Sequence, residues 1–295
     1  MNPFAHLEES LSASRIGTYL RCPLRYFFNY IEKLPWEKIS GAMLLGSAVD
    51  ATAKEAVALV KQGWQKPEDL QLDELFDQFF KIEIESPRAP IGWGKRHDQD
   101  SMRDLGRSLT QALRPILFTE ERLERIVDRD VAFTIPLLDE EGKPLIDTPL
   151  IGIFDFLLEI DGKKIPLELK TASNRTQYLP DNLSRDCQAL IYAMAAQTLQ
   201  RDGEAHVSYM SCVKLKKPEV IESDFKVDAG QLAWARGLVT NVKRAIDAEL
   251  YHPAPSVMSC GGCPYTAACA KSGSVARSVP KRIFSRPQQA RPAPR

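Results

Sequence analysis

The chain has 295 residues, 44% of them hydrophobic and 26% charged, with 39 basic residues balancing 39 acidic ones. That is enough apolar material for one large domain or two small ones, and no run of about 18 apolar residues is present to cross a membrane as a helix. The opening Met1 to Ser10 carries Glu8 and Glu9 and no apolar signal core, so a cytoplasmic protein is expected, in which clustered cysteines read as metal ligands or catalysts before disulfides.

Leu11 to Ile31 reads as two short helices. Ser12 or Ser14 can cap the first. Cys22 precedes Pro23, which ends that helix and opens a second one rich in aromatics, Tyr26, Phe27, Phe28 and Tyr30. Leu44 to Lys61 has helical spacing at Leu45, Val49, Ala53, Ala56, Val57 and Val60. From Asp69 to Val127 the pattern stays helical apart from a break near Pro87 to Gly94, and residues 62–128 read as a helical insert. The centre changes to strands at Val131–Leu138, Ile151–Ile160 and Ile165–Thr171. The last two are separated by a turn that begins with Asp161-Gly162, a strong hairpin signal. Leu183–Arg201 reads as a helix, His206–Val213 as a strand, and Asp228–Leu250 as a long helix with Gln231 completing a capping box. A cysteine-rich loop follows within residues 251–270.

The last 25 residues hold seven basic side chains and no acid, which leaves 32 basic against 39 acidic residues elsewhere, a net of about −7. A basic tail over 271–295, punctuated by Pro280, Pro287, Pro292 and Pro294, is expected to be disordered. It suits either an anionic partner or a merely solubilising end.

Asp155 interrupts an apolar strand, and Glu168 and Lys170, two apart, share one face of the next. A hairpin register can bring the three together. Two carboxylates and a lysine on a partly buried face are costly unless a cation compensates them. Hard oxygen ligands suit Mg2+ or Mn2+, which lower the pKa of bound water and stabilise charge on a phosphate under attack. By spacing alone, an ordinary Glu–Lys pair on an exposed strand is an equally open reading.

An aspartate on one strand followed by Glu-x-Lys on the next resembles the PD-(D/E)XK nuclease superfamily. Ser12-Ala-Ser14-Arg15 through Cys22-Pro23, the aromatic Tyr26-Phe27-Phe28, and Gln188 with Tyr192 one helical turn later resemble its RecB-like branch. This resemblance implies an α/β, restriction-endonuclease-like core with a mixed central sheet flanked by helices. It further implies one nuclease domain over 1–270 that includes the helical insert. The implied activity is an Mg2+- or Mn2+-dependent DNA exonuclease acting on ends or single strands, with Asp155, Glu168 and Lys170 catalytic and Gln188 and Tyr192 lining the DNA groove. In Gly46-Ser47-Ala48-Val49-Asp50 the family segment usually ends in a histidine ligand, and here Asp50 stands in its place. As a hard oxygen donor Asp50 is a third candidate ligand beside Asp155 and Glu168. The alternative is a solvated helix residue paired with Lys54 at i+4.

Cys260, Cys263 and Cys269 pack three thiols into ten residues, and the two glycines between the first pair allow a tight backbone. A fourth ligand has to come from elsewhere, with Cys22 the best candidate. In the resemblance, which extends to the AddB nuclease and CRISPR-associated members, this pattern implies a 4Fe-4S cluster stapling the chain ends. Cys187 and Cys212 read as buried apolar positions. No phosphate-binding G-x-x-x-x-G-K-[ST] motif occurs, so ATP-driven unwinding would belong to a helicase partner; an integrase is the other implied partner. Against the enzyme stands a catalytically weakened DNA-binding or structural module, a reading to which Asp50 lends itself.

Overall fold

A computed structural model describes residues 3–4, 9–95, 97–200 and 203–272. Of the basic tail expected over 271–295, all but Lys271 and Ser272 lies outside the described residues. The chain opens with a short strand β1 (Leu11–Ser12) that runs into α1 (Ala13–Arg21). Ser12 caps α1 by accepting the Arg15 N–H, and the helix stops at Cys22, whose backbone is extended ahead of Pro23. Pro23 then opens α2 (Pro23–Tyr26), which continues as a π-helical turn over Phe27–Ile31. After β2 (Ile39–Ser40), Ser40 caps α3 (Gly41–Lys61), which thus begins earlier than its apolar repeat suggests.

Three helices with one short strand between them fill the expected insert: α4 (Leu72–Glu85), β3 (Ile91–Gly92), α5 (Gln99–Leu117) and α6 (Glu120–Arg125). They are not an appendage. Phe76 of α4 and Leu109 and Leu113 of α5 share one core with Leu167, Leu169 and Met210 of the central sheet. At Gly106 a Cβ would collide with the Phe76 ring, so only glycine lets α5 approach α4 this closely.

The remaining elements are β4 (Ile126–Ile135), β5 (Leu150–Ile160), β6 (Lys163–Ala172), α7 (Pro180–Leu183), α8 (Cys187–Gln197), β7 (Ala205–Val213), β8 (Glu219–Val227), α9 (Ala229–Asp247), α10 (Val257–Cys260) and α11 (Thr266–Ser272). The expected capping box at Asp228 and Gln231 opens α9. The main sheet is mixed. β4 and β6 run antiparallel to β5, β6 and β7 are parallel, and β7 and β8 are antiparallel, while β1 lies parallel to the start of β5. A parallel pair needs a crossover, and α7 and α8 supply it between β6 and β7. The second large core gathers Ile16 of α1, Leu190 and Tyr192 of α8, and Val239 of α9 against Val207 and Tyr209 of the sheet. This mixed sheet between helical layers is the α/β architecture expected. Among the described residues no helix is long and apolar enough to cross a membrane.

Candidate active site

The register of the β5–β6 hairpin follows from its two-residue turn. Asp161 and Gly162 both have positive φ, 50° and 74°, as the tight turn matching strand twist requires. Ile160 therefore pairs with Lys163, and the ladder runs back to Phe156 opposite Leu167. Asp155 and Glu168 stand on the next rung, where side chains replace the backbone ladder. The Asp155 N–H donates to Glu168 Oε1 at 3.3 Å, and the Leu169 N–H donates to Asp155 Oδ2 at 2.9 Å. The strands part here, and both carboxylates are fixed at the opening.

Glu168 is buried, only 1% exposed. Its Oε2 accepts from Lys170 Nζ at 2.8 Å and from Gln188 Nε2 of α8 at 3.3 Å. Burial pushes the Glu168 carboxyl up to about 8, with Asp155 adding and Lys170 opposing. Burial alone lowers the Lys170 ammonium, yet Glu168 and Asp155 outweigh it and the net direction is up. Lys170 therefore keeps its proton, and Glu168 is the member of the pair that protonates first as pH falls.

From the other side, α3 brings Asp50 and Lys54. At Gly46, one turn before Asp50, a Cβ would sit 3.2 Å from Thr171 Oγ1, so α3 lies directly against β6. Lys54 does pair with Asp50, at 2.9 Å, as the local i+4 reading expects. It also reaches Asp155 at 2.8 Å and Asp130 of β4 at 3.0 Å. Neither long-range contact is visible in the sequence, where Asp130 sits inside an ordinary charged run, Asp128-Arg129-Asp130. Burial raises Asp50 to about 6, Asp155 adds to it, and Lys54 opposes both.

The structure thus brings Asp50, Asp155, Glu168, Lys170 and Gln188 together. Tyr192 is placed differently from the expected groove wall. It is buried, its hydroxyl donates to the Ile153 carbonyl at 3.0 Å, and its ring meets Phe133 and Phe154 edge-on. It supports the strand that carries Asp155 from beneath.

The sequence model of the PD-(D/E)XK nuclease superfamily matches residues 10–270. The chain belongs to this superfamily. A candidate exonuclease from Eubacterium rectale has a similar solved structure, with a TM-score of 0.52 and 14% identity over 90% of this chain and 93% of that one. That likeness is one of fold. The solved structure of SSO0001 superposes at a TM-score of 0.35 with 13% identity, covering 88% of this chain and 95% of that one. No curated protein shows significant sequence similarity to the chain.

Members of the superfamily generally use divalent metal ions, and the donor set of this PD-(D/E)XK nuclease can be tested against one. Among the described residues, no three His, Cys, Asp or Glu side chains stand around a common point in metal-holding geometry. Around the carboxylates, the Lys54 ammonium sits between Asp50 and Asp155 and the Lys170 ammonium against Glu168. Within this donor set, the buried Asp50 Oδ1 has no hydrogen-bond partner among the described residues. A buried carboxylate oxygen without a donor is costly, and together with all-oxygen donors it fits a hard cation.

The second expected centre is less enclosed. Cys22, Cys260, Cys263 and Cys269 line one cavity together with Arg25 and Tyr265. Burial raises the Cys269 thiol, and Cys22, Cys263 and Cys260 each push it further up. Hydrogen bonds tie this cysteine loop to the start of the chain. Ser259 Oγ donates to the Arg21 carbonyl, the Glu37 N–H to the Pro264 carbonyl, and the Tyr265 hydroxyl to Asn29 Oδ1. Cys212 is buried as expected, whereas Cys187 is partly exposed at the start of α8.

Proposed function

We propose that this nuclease hydrolyses DNA phosphodiesters with Mg2+ or Mn2+ held by Asp50, Asp155 and Glu168, and acts as an exonuclease on ends or single strands. The observation that carries the reading is the gathering of these three carboxylates, Asp50 and Asp155 sharing Lys54 and Glu168 accepting from the Asp155 N–H and Lys170, with Asp50 Oδ1 left without a protein partner among the described residues. The bound cation supplies an acidified water and charge stabilisation at the phosphate. The chain's own groups do the positioning. Leu169 N–H fixes the orientation of Asp155, and Gln188 fixes that of Glu168. Lys170, protonated and 20% exposed, orients the attacking water and donates to the developing negative charge.

The four cysteines around their shared cavity support a 4Fe-4S cluster that ties the loop at 251–270 to Cys22. Residues 1–270 then form one nuclease domain. The lysine already seated among the carboxylates favours a second reading, a catalytically weakened DNA-binding module. Digestion of end-labelled single- and double-stranded DNA with Mg2+, Mn2+ or chelator separates the two. Progressive shortening that requires metal supports the exonuclease. Binding without cleavage in every condition supports the module.

A further inference from the structure

Lys54 is 12% exposed and sits between three carboxylates on three different elements, Asp50 of α3, Asp155 of β5 and Asp130 of β4, at 2.9, 2.8 and 3.0 Å. Two of these are proposed metal ligands. The third is not. Asp130 is on the outer side of the cluster, its side chain 45% exposed, and its other oxygen accepts from Arg129 at 3.2 Å. Its backbone has φ of 52°, which a non-glycine residue adopts only at some cost. It lies just past a register shift in β4 between Ile126 and Asp128. A strained aspartate on an edge strand has no packing task to explain it. It does place a carboxylate within reach of the Lys54 ammonium.

The electrostatics set a problem that this geometry answers. Without metal, Asp50, Asp155 and Glu168 repel one another when ionised, and Lys54 neutralises part of the charge on Asp50 and Asp155. With metal, an ammonium on Asp50 Oδ2 and Asp155 Oδ1 and a dication on the same two carboxylates would stand close together, and like charges at that distance repel strongly. Lys54 is anchored by its backbone to α3 and cannot leave the cluster, but its four-carbon stem lets the ammonium move outward. We propose that Lys54 is an internal stand-in cation, and that Asp130 is the carboxylate to which it withdraws when a divalent ion takes Asp50 and Asp155. In this role both are positioning residues, neither a ligand nor a participant in the chemistry. The inference rests on the metal-site reading above.

The test reads Mn2+ binding by calorimetry and the melting temperature of metal-free protein, without DNA. Lys54→Met should bind Mn2+ more tightly, by roughly tenfold, and melt lower when metal-free, because buried carboxylates have lost their counter-charge. Asp130→Asn should weaken Mn2+ binding by roughly fivefold. In the Lys54→Met background the same Asp130→Asn change should have no effect, since there is no ammonium left to withdraw. Lys54→Gln, which keeps hydrogen-bonding reach without charge, provides a second background should the methionine variant fold poorly. Equal weakening by Asp130→Asn in both backgrounds would make Asp130 a ligand and overturn the proposal. So would Mn2+ binding that ignores Asp130 and Lys54 altogether, which leaves the metal site itself standing. Absence of Mn2+ binding in wild type and all variants overturns both.

Discussion

The carboxylate site and the cysteine loop solve the same problem, gathering several ionisable groups at one place, in opposite ways. Around Asp50, Asp155 and Glu168 the protein supplies its own cations, Lys54 and Lys170, and its own donors, the Leu169 and Asp155 N–H groups. The site stands on strands and helices backed by two large cores. Around Cys22, Cys260, Cys263 and Cys269 the described cavity lining offers a single basic side chain, Arg25. The flanking helices α10 and α11 bury none of their residues, and Cys260 and Cys269 are exposed. In the first region the fold makes the site. In the second, the proposed cluster would complete the fold.

The sharpest way to exploit this contrast is to remove a charge from the first region. Glu168→Ala should lower single-turnover cleavage of end-labelled DNA by roughly 10² or more. The protein should still fold, because Lys170 retains Asp155 as a counter-charge. Loss of the cooperative melting transition in this variant would mean that the two regions do not differ as described.

The mirror experiment removes a thiol from the second. Cys263→Ser should cost stability, about 2 kcal/mol or more and hence several degrees of Tm, and should abolish iron binding in anaerobically purified protein. An unchanged Tm, or stoichiometric zinc without iron in the parent, would refute the cluster.

Gly152→Ala probes the packing beneath the carboxylates. A Cβ there would sit 2.3 Å from Phe133 Cζ and 3.0 Å from Tyr192 Cε1. Overpacking should cost about 1–2 kcal/mol by thermal melts, with the iron content of the cysteine loop unaffected. The smallest effect belongs to Tyr265→Phe, which deletes the bond to Asn29 Oδ1 while the Trp36 Nε1 donor remains. It should cost about 1 kcal/mol in denaturant titration, and a neutral result would assign the loop's anchorage to the thiols alone.

Much of this was legible in the sequence wherever local chemistry decided it. Asp161-Gly162 determined the hairpin register and so placed Asp155 opposite Glu168. Cys22-Pro23 ended α1, and the Asp228–Gln231 box opened α9. The cluster around Lys54 was not legible, because its bond to Asp155 spans 101 positions and depends on how closely α3 packs on β6. Nor does Tyr192 advertise that it is buried, since α8 is apolar on nearly every face and offers no stripe to orient it. Strand β8 escaped notice for a similar reason. As an edge strand whose apolar residues are broken without regular alternation by Glu219, Glu222, Ser223, Asp224 and Lys226, it blends with the charged loop before it.

The bond from Ser259 to the Arg21 carbonyl joins residues 238 positions apart. During synthesis, a chain growing at about 5–20 residues per second would leave Cys22 waiting roughly 10–50 s before Cys260 emerged. Every strand of the central sheet after β1, and with them Asp155, Glu168 and Lys170, is made within that interval. The order of manufacture therefore lets the carboxylates gather around Lys54 and Lys170 while the cysteine loop is still inside the ribosome. It also places the meeting of Cys22 with the cysteine loop after those strands have been made.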